Sequence, residues 1–397
     1  MRKYHSQIKF TGEANFISPI ISAPDQNLSE ATAPKPRILI VGMHLTKTRG
    51  GISTLISEIL NSPLKNEFEF VYIASQAEDF GTFNKLFLAF CAVGKFVFDC
   101  LSNPSALVYV HLGSNASLYR ESIFIFLAKI FGKKVVAHFH AGDIDNYYPF
   151  QSRIGQMFIR RAINSSDQVI AVSAESARQL KDITDSPNIA IVPNAINTSS
   201  FNVFNISDAA NAKKRQTDET IRLLFVGAVG KLKGERDFIQ ALAMLRASQP
   251  NIKVSFLGYN AESLKDLCEE LKVTEFIEFL GAVPMNERIG FFQKADIFVL
   301  PTYAEAMPMS VIEAMAAGLA VVATSVGGIP ELVEDGVDGL LFAPGDVAAL
   351  AEKISLLINK KDLRLKMGGK AQQKAREQMD FGQYAEKLRV LLWAECE

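Results

Sequence analysis

The chain has 397 residues, 48% of them apolar, and a formal net charge of −1. That length accommodates two α/β domains of ordinary size, and that charge gives no global reason to expect a nucleic-acid partner. Cys91, Cys100, Cys268 and Cys396 are scattered without metal-type or redox spacing, which points to a reduced, cytoplasmic protein.

Residues 1–36 are polar and punctuated by Pro19, Pro24, Pro34 and Pro36, the composition of a disordered or loosely docked leader. Lys9, Glu13 and Asp25 interrupt any signal-peptide core there. No run of eighteen uncharged apolar residues follows, so no spanning helix is expected. The first predicted strand is Arg37 to Val41, followed by Gly50-Gly51 and a helical pattern through Leu55, Ile56, Ile59 and Leu60. A glycine pair between a first strand and its helix lets a ligand or a facing domain approach the backbone closely.

Phe68 to Ile73 and Ala106 to Val110 read as strands, with the apolar helix Phe83 to Leu101 between them. Two readings of that helix stand: a core element, or an interfacial helix that rests the domain on a membrane. His111-Leu112-Gly113-Ser114 comes next, with Ser117 and Arg120 close behind, before a helix predicted over Glu121 to Phe131. The strand Lys133 to Ala137 delivers His138-Phe139-His140-Ala141-Gly142. Three of the five histidines therefore fall at the ends of two strands. His-x-His is a zinc-ligand spacing, but the sequence puts no cysteine or third ligand beside it, so no metal site is expected. The basic amphipathic stretch Ser152 to Asn164, with Tyr147-Tyr148-Pro149-Phe150 before it, is either a solvated face or a cradle for a polyprenyl diphosphate or anionic lipid. Strands at Asp167 to Ser173 and Ile189 to Pro193 close this half, and Val192-Pro193-Asn194-Ala195-Ile196 leads out of it.

Residues 197–220, polar and carrying Lys213-Lys214-Arg215, read as a linker. The strand from Ile221 opens a second half and runs into Gly227-Ala228-Val229-Gly230-Lys231-Leu232-Lys233-Gly234, a glycine-rich strand-to-helix loop suited to phosphate. Lys253 to Gly258, Phe276 to Leu280 and Ala295 to Leu300 continue the strand alternation. Pro301 stops the last of these. A polar turn carries Glu305, Pro308 falls in the predicted first helical turn, and the helix Met309 to Ala317 ends at Gly318 as its C′ residue. With the strand Leu319 to Thr324 and the Gly327-Gly328 turn, this is a βαβ crossover of a parallel sheet. Glu305 then lies at the carboxyl end of a strand, where open α/β sheets bind ligands. Glu313 lies one to two turns into the helix. The backbone around Met307, Pro308, Met309 and Ser310 turns the helix N-terminus, an anion site, toward the same crevice. Two hydroxyl acceptors beside a phosphate site suit a sugar nucleotide.

These motifs resemble glycosyltransferase family 4, retaining enzymes of the GT-B fold. The resemblance rests on Glu305-x(7)-Glu313, Ala314-Met315-Ala316-Ala317-Gly318, Gly327-Gly328-Ile329-Pro330-Glu331, the Gly50-Gly51 loop and the His138-x-His140 turn. It covers roughly Arg37 to the C-terminus. It implies two facing Rossmann-like, doubly wound α/β domains with a cleft between them, over 37–196 and 221–380. Residues 381–397 are then a helix crossing back to the first domain. It implies further that Glu305 contacts hydroxyls of the donor sugar and Glu313 the ribose, and that Gly50 and Gly51 approach the donor. Lys233, with Lys231, meets the diphosphate. By the same resemblance His140 is the active-site histidine, with His111, His138, Ser114 and Arg120 lining the acceptor cleft. One departure stands out: Ala228 occupies the place where the family usually has an arginine on the diphosphate.

The expectation is a transferase moving a sugar from a nucleotide-diphosphate sugar to a glycan or polyprenyl-diphosphate-linked acceptor in bacterial surface-polysaccharide synthesis. No cofactor or metal is expected, nor any nucleic-acid partner, and contact with the cytoplasmic face of the inner membrane is peripheral. Three other readings stay open: a sugar-nucleotide epimerase of the same architecture, a non-catalytic donor-binding partner subunit, and an enzyme glycosylating a small metabolite.

Overall fold

The computed structural model describes residues 34–396 apart from 46, 47, 49, 78, 79, 143, 187, 202–219, 231 and 250. The leader up to residue 33 and most of the 197–220 segment thus lie outside the described residues. Where that segment is described, Thr198–Phe201 forms a 3-10 turn with Thr198 and Phe201 buried and Asn197 and Ser199 exposed.

Two six-stranded parallel sheets organise the chain. The first contains β1 (Arg37–Met43), β2 (Glu69–Gln76), β3 (Leu107–Leu112), β4 (Val135–Phe139), β5 (Gln168–Ala171) and β6 (Ile189–Ile191), in the order β2-β1-β3-β4-β5-β6. The second contains β7 (Ile221–Val226), β8 (Ile252–Leu257), β9 (Ile277–Gly281), β10 (Ile297–Leu300), β11 (Ala320–Thr324) and β12 (Gly339–Phe342), in the order β12-β11-β10-β7-β8-β9. The central strands β3, β4, β10 and β11 are buried along their whole length. They are apolar at nearly every position because helices cover both faces of such sheets. Strand order reverses between β1 and β3 in the first sheet and between β7 and β10 in the second, and ligands of open α/β sheets bind at such switch points.

Among the described residues, helices of eight or more residues are α1 (Gly51–Asn61), α2 (Thr82–Ser102), α3 (Ala116–Ile130), α4 (Arg153–Asn164), α5 (Ala174–Ile183), α6 (Glu235–Leu245), α7 (Met285–Lys294), α8 (Met309–Ala316), α9 (Val347–Asn359), α10 (Lys361–Gln378) and α11 (Phe381–Cys396). Two differ from the sequence expectation. Helix α3 begins at Ala116, not Glu121, so Ser117 and Arg120 are helical; Asn115, with φ of 57°, makes the sharp turn that starts it early. Pro308 is the N-cap of α8 and not its first helical residue. The other end of α8 closes as a Schellman motif. Gly318 has φ of 78° and donates to Met315 O at 2.9 Å, and Leu319 donates to Ala314 O at 3.0 Å.

Helix α11 lies on the first sheet. Phe381, Tyr384, Ala385, Leu388 and Leu392 pack into one cluster with Ile38, Ile40, Leu107, Tyr109 and Val136. Trp393 Nε1 donates to Glu67 at 2.9 Å. At its start the chain is pinned by Ile196 N to Met379 O at 3.1 Å and Phe381 N to Ile196 O at 2.8 Å.

Candidate active site

The loops after β7 and β10, the two strands at the second switch point, are bolted together by backbone. Leu232 O accepts from Tyr303 N and from Thr302 Oγ1, each at 2.7 Å. Gly234 has φ of 67°, and a Cβ there would sit 1.8 Å from Pro301 O, so only glycine allows the approach. The result is an ion pair between Lys233 Nζ and Glu305 Oε1. The glutamate is the more buried partner, at 14% side-chain exposure against 31% for the lysine. Lys231 lies outside the described residues. Ala228 is exposed, and Lys233 is the cation of its loop among the described residues.

Glu305 is held from behind by glycines. A Cβ on Gly327 (φ 54°) would meet Glu305 O at 1.6 Å, and one on Gly328 would meet Ala306 O at 2.1 Å. A third glycine comes from the other half. Gly142, two residues past His140, would put a Cβ 2.1 Å from Ala306 N and 2.2 Å from the carbonyl carbon of Glu305. Backbone from the two halves therefore touches at the glutamate itself. The contact is repeated around the rim. Gly51 faces Met309 at the start of α8, where a Cβ would come 2.8 Å from Met309 Cγ. Asn194 Nδ2 donates to Met307 O at 2.8 Å. Glu331 accepts the Ala174 and Glu175 N–H groups at 2.9 and 3.1 Å, capping α5 across the divide. The N-terminal turn of α8, at Met307, Pro308, Met309 and Ser310, is thus walled by residues of the first half on two sides.

Glu313 stands deeper. It is 1% exposed and paired at 2.5 Å with Arg288 Nη2 of α7. Burial pushes its carboxyl pKa up, and the Arg288 charge and hydrogen bond oppose that. One carboxylate oxygen of Glu313 has no hydrogen-bond partner. Arg288 was not singled out in the sequence, because nothing in its local pattern shows which helix faces α8. Glu235, at the start of α6, was also missed. It is 4% exposed, accepts the Gly230 N–H at 3.1 Å, and so braces the lysine loop.

In the first half, β3 and β4 pair with His111 opposite His138. Tyr109 and His111 share one face, as do His138 and His140, because side chains alternate along a strand. The rings meet: His111 Nδ1 and His140 Nε2 are 3.0 Å apart, and Tyr109 Oη is 2.7 Å from His138 Nδ1. Burial holds all three imidazoles below their ordinary pKa; His111 and His138 lie well below it, with His140 lowering both further and His111 also lowering His138. His140, open to the cleft on one side, is pushed down to about 3. The cluster is neutral at physiological pH. The sequence put His111 at the end of a neighbouring strand, and the β3–β4 register is what brings its ring against His138 and His140.

Arg120 donates to Glu121 Oε1 at 3.0 Å. The fully buried Glu121 also accepts from Ser75 Oγ at 2.6 Å and Ser117 Oγ at 2.9 Å. Ser117 Oγ in turn accepts the Gly113 N–H at 3.0 Å. This network fixes the turn carrying Ser114, and Arg120 belongs to it. Glu121, which organises the network, was taken in the sequence only as the start of a helix.

A family model described as Glycosyltransferase Family 4 matches residues 111–200, and one described as Glycosyl transferases group 1 matches 207–374. The D-inositol 3-phosphate glycosyltransferase of Streptomyces scabiei is 30% identical over 242 residues, 58% of this chain and 54% of that one. That of Corynebacterium efficiens is 35% identical over 160 residues, 38% of each chain. The chain thus spans about half the length of the curated relatives it matches. Among solved structures, sucrose-phosphate synthase from Thermosynechococcus elongatus superposes with a TM-score of 0.77 at 17% identity, covering 91% of this chain and 99% of that one. Anabaena HepE in complex with UDP-glucose gives 0.73 at 18% identity, covering 90% and 99%. At that identity the likeness is one of fold, and the fold is GT-B: two Rossmann-like domains, one on each sheet.

Proposed function

We propose that the chain is a member of glycosyltransferase family 4, a retaining enzyme moving a sugar from a nucleotide diphosphate to a hydroxyl of a lipid-linked glycan in bacterial surface-polysaccharide synthesis. The observation that carries this is the Lys233–Glu305 pair at the second switch point, touched from the first half by the turn that follows His140.

In the reaction the bond between the anomeric carbon and the diphosphate oxygen breaks, and its electron pair leaves with the diphosphate. The acceptor oxygen bonds to that carbon on the same face, and its proton passes to the departing oxygen. Lys233 and the α8 N-terminus at Met307 to Ser310 stabilise the growing negative charge. Glu305 holds sugar hydroxyls, and Glu313 the ribose. His140, neutral because it is buried, accepts or donates a hydrogen bond at the sugar without adding charge. Without a donor, Lys233 and Glu305 keep each other oriented. Donor binding inserts phosphate on one side of the pair and a hydroxyl on the other. Diphosphate is a good leaving group, so the chemistry calls for no resident metal. Contact of the two halves around Glu305 excludes the water that would hydrolyse the donor.

The acceptor side favours a lipid carrier. Helix α2 buries Ala92, Phe96 and Cys100 but leaves Phe83, Phe87, Phe90 and Phe98 between 63% and 80% exposed. Core packing thus accounts for one face only. Phe150, Ile154 and Met157, close in sequence to Arg153 and Arg161 of α4, are exposed on the same half as well. No helix among the described residues is long and apolar enough to cross a membrane, and this surface is the kind that rests on one.

Purified protein incubated with a panel of nucleotide sugars, with and without polyprenyl-diphosphate acceptors, tests the reading. Transfer with retained anomeric configuration is expected. Donor binding without turnover on any acceptor, or release of free sugar from an acceptor-independent reaction, overturns it.

A further inference from the structure

Sugar transfer uses one imidazole of the first half, and the structure assembles three. One ring nitrogen from each of His111, His138 and His140 lies within 4.8 Å of the others. Two of these side chains are at most 2% exposed, and their Nε2 atoms have no hydrogen-bond partner. A buried ring nitrogen without a partner forfeits its solvation, and two such atoms on neighbouring rings need a common explanation. We propose that His111, His138 and His140 bind a divalent transition-metal ion of the zinc type, through one ring nitrogen each.

The surroundings fit the chemistry of such an ion. Tyr109 Oη holds His138 at Nδ1, 2.7 Å away, which fixes that ring and leaves Nε2 for a metal, as outer hydrogen bonds to ligating histidines do. Nitrogens around a tetrahedral zinc sit about 3.4 Å apart at bond lengths of roughly 2.0–2.1 Å. The three nitrogens lie within 4.8 Å of one another, so the rings must turn inward to hold an ion. An all-imidazole set suits zinc, cobalt, nickel or copper and does not suit magnesium or calcium, which take oxygen ligands. Entry is by way of His140, the one partly exposed member of the three. One consequence rests on the proposed transfer reaction. An ion here takes the His140 nitrogen away from the sugar, so the metal inhibits.

The test is made on the full chain, stripped with chelator and titrated with Co²⁺, followed by its visible ligand-field bands. One ion per chain is expected. X-ray absorption of the Zn²⁺-loaded wild-type protein should show three imidazole nitrogens, which requires no variant to fold. His140→Gln, on the cleft side, and His111→Gln should each weaken Co²⁺ binding at least about tenfold, while His44→Gln should not. No uptake at micromolar Co²⁺, or uptake unchanged in His140→Gln, overturns the site. Uptake that leaves transfer unimpaired keeps the site and refutes instead the place of His140 beside the sugar.

Discussion

Lys233 and Glu305 are an ion pair joining the loops after β7 and β10, and under the proposed reaction each should matter more to transfer than to the fold. Lys233 is almost one-third exposed, so its pair contributes little to stability. Lys233→Ala and Glu305→Ala should each lower kcat/KM at least about tenfold, with thermal midpoints near wild type. Steady-state kinetics beside a melting curve separates the two effects. The histidines make the opposite case. Their folded-state pKa values are lowered by burial, and those of His111 and His138 also by the neighbouring imidazoles, with Tyr109 another titratable ring in contact. The unfolded imidazoles take up protons near pH 6.5, and the folded ones do not. Their contribution is therefore fully present above that pH and is lost as pH falls from there toward the folded values, at up to about 1.4 kcal/mol per pH unit for each ring. Urea melts of chelator-treated protein between pH 7.5 and 5 should show this slope, and it should shrink in His140→Gln. At this scale the sequence showed the chemistry but not the pairings. Glu305 and Lys233 stood out by their motifs, whereas Arg288 and Glu121 act through contacts that tertiary packing alone creates.

Among the elements, strands were the more legible. Four-residue apolar runs such as Ile297–Leu300, ended by proline, can hardly be anything else in an alternating chain. Strand β12, the four residues Gly339–Phe342, escaped notice because it is short and starts on glycine. The start of α3 was misplaced because Ser117 and Arg120 look like loop residues until Glu121 is seen to bind them both. Two elements carry predictions. If the apolar face of α2 meets lipid, replacing Phe83, Phe87 and Phe90 by serine should cut co-sedimentation with anionic vesicles several-fold. Because all three are exposed, the thermal midpoint should hardly move; unchanged sedimentation would leave that face without a lipid role. Helix α11 should behave in the reverse way. Leu388 is fully buried against the first sheet, and Leu388→Ala should cost about 2–5 kcal/mol by denaturant titration.

For the whole molecule, length and the alternation of strand and helix pointed to two α/β halves, the resemblance to GT-B enzymes implied that both are doubly wound, and the strand orders show them. What could not be foreseen is how closely they touch. The contact depends on Gly142, which reads as an ordinary turn residue until Glu305 is placed against it. Gly142→Ala should leave each half folded, since its φ is not in the left-handed region, but force the Glu305–Ala306 backbone away from the His140 turn. A fall of at least about tenfold in kcat with donor affinity largely kept is expected, readable by kinetics together with calorimetric donor binding.

Helix α11 has one more implication. Six β-strands of the first half leave the ribosome well before the segment that covers Ile38, Tyr109 and Val136. During synthesis that apolar sheet face waits uncovered while the entire second half is translated. The amino-terminal half thus reaches its finished packing last, when residues 381–396 arrive, and a nascent chain stalled before them should be the form that chaperones hold.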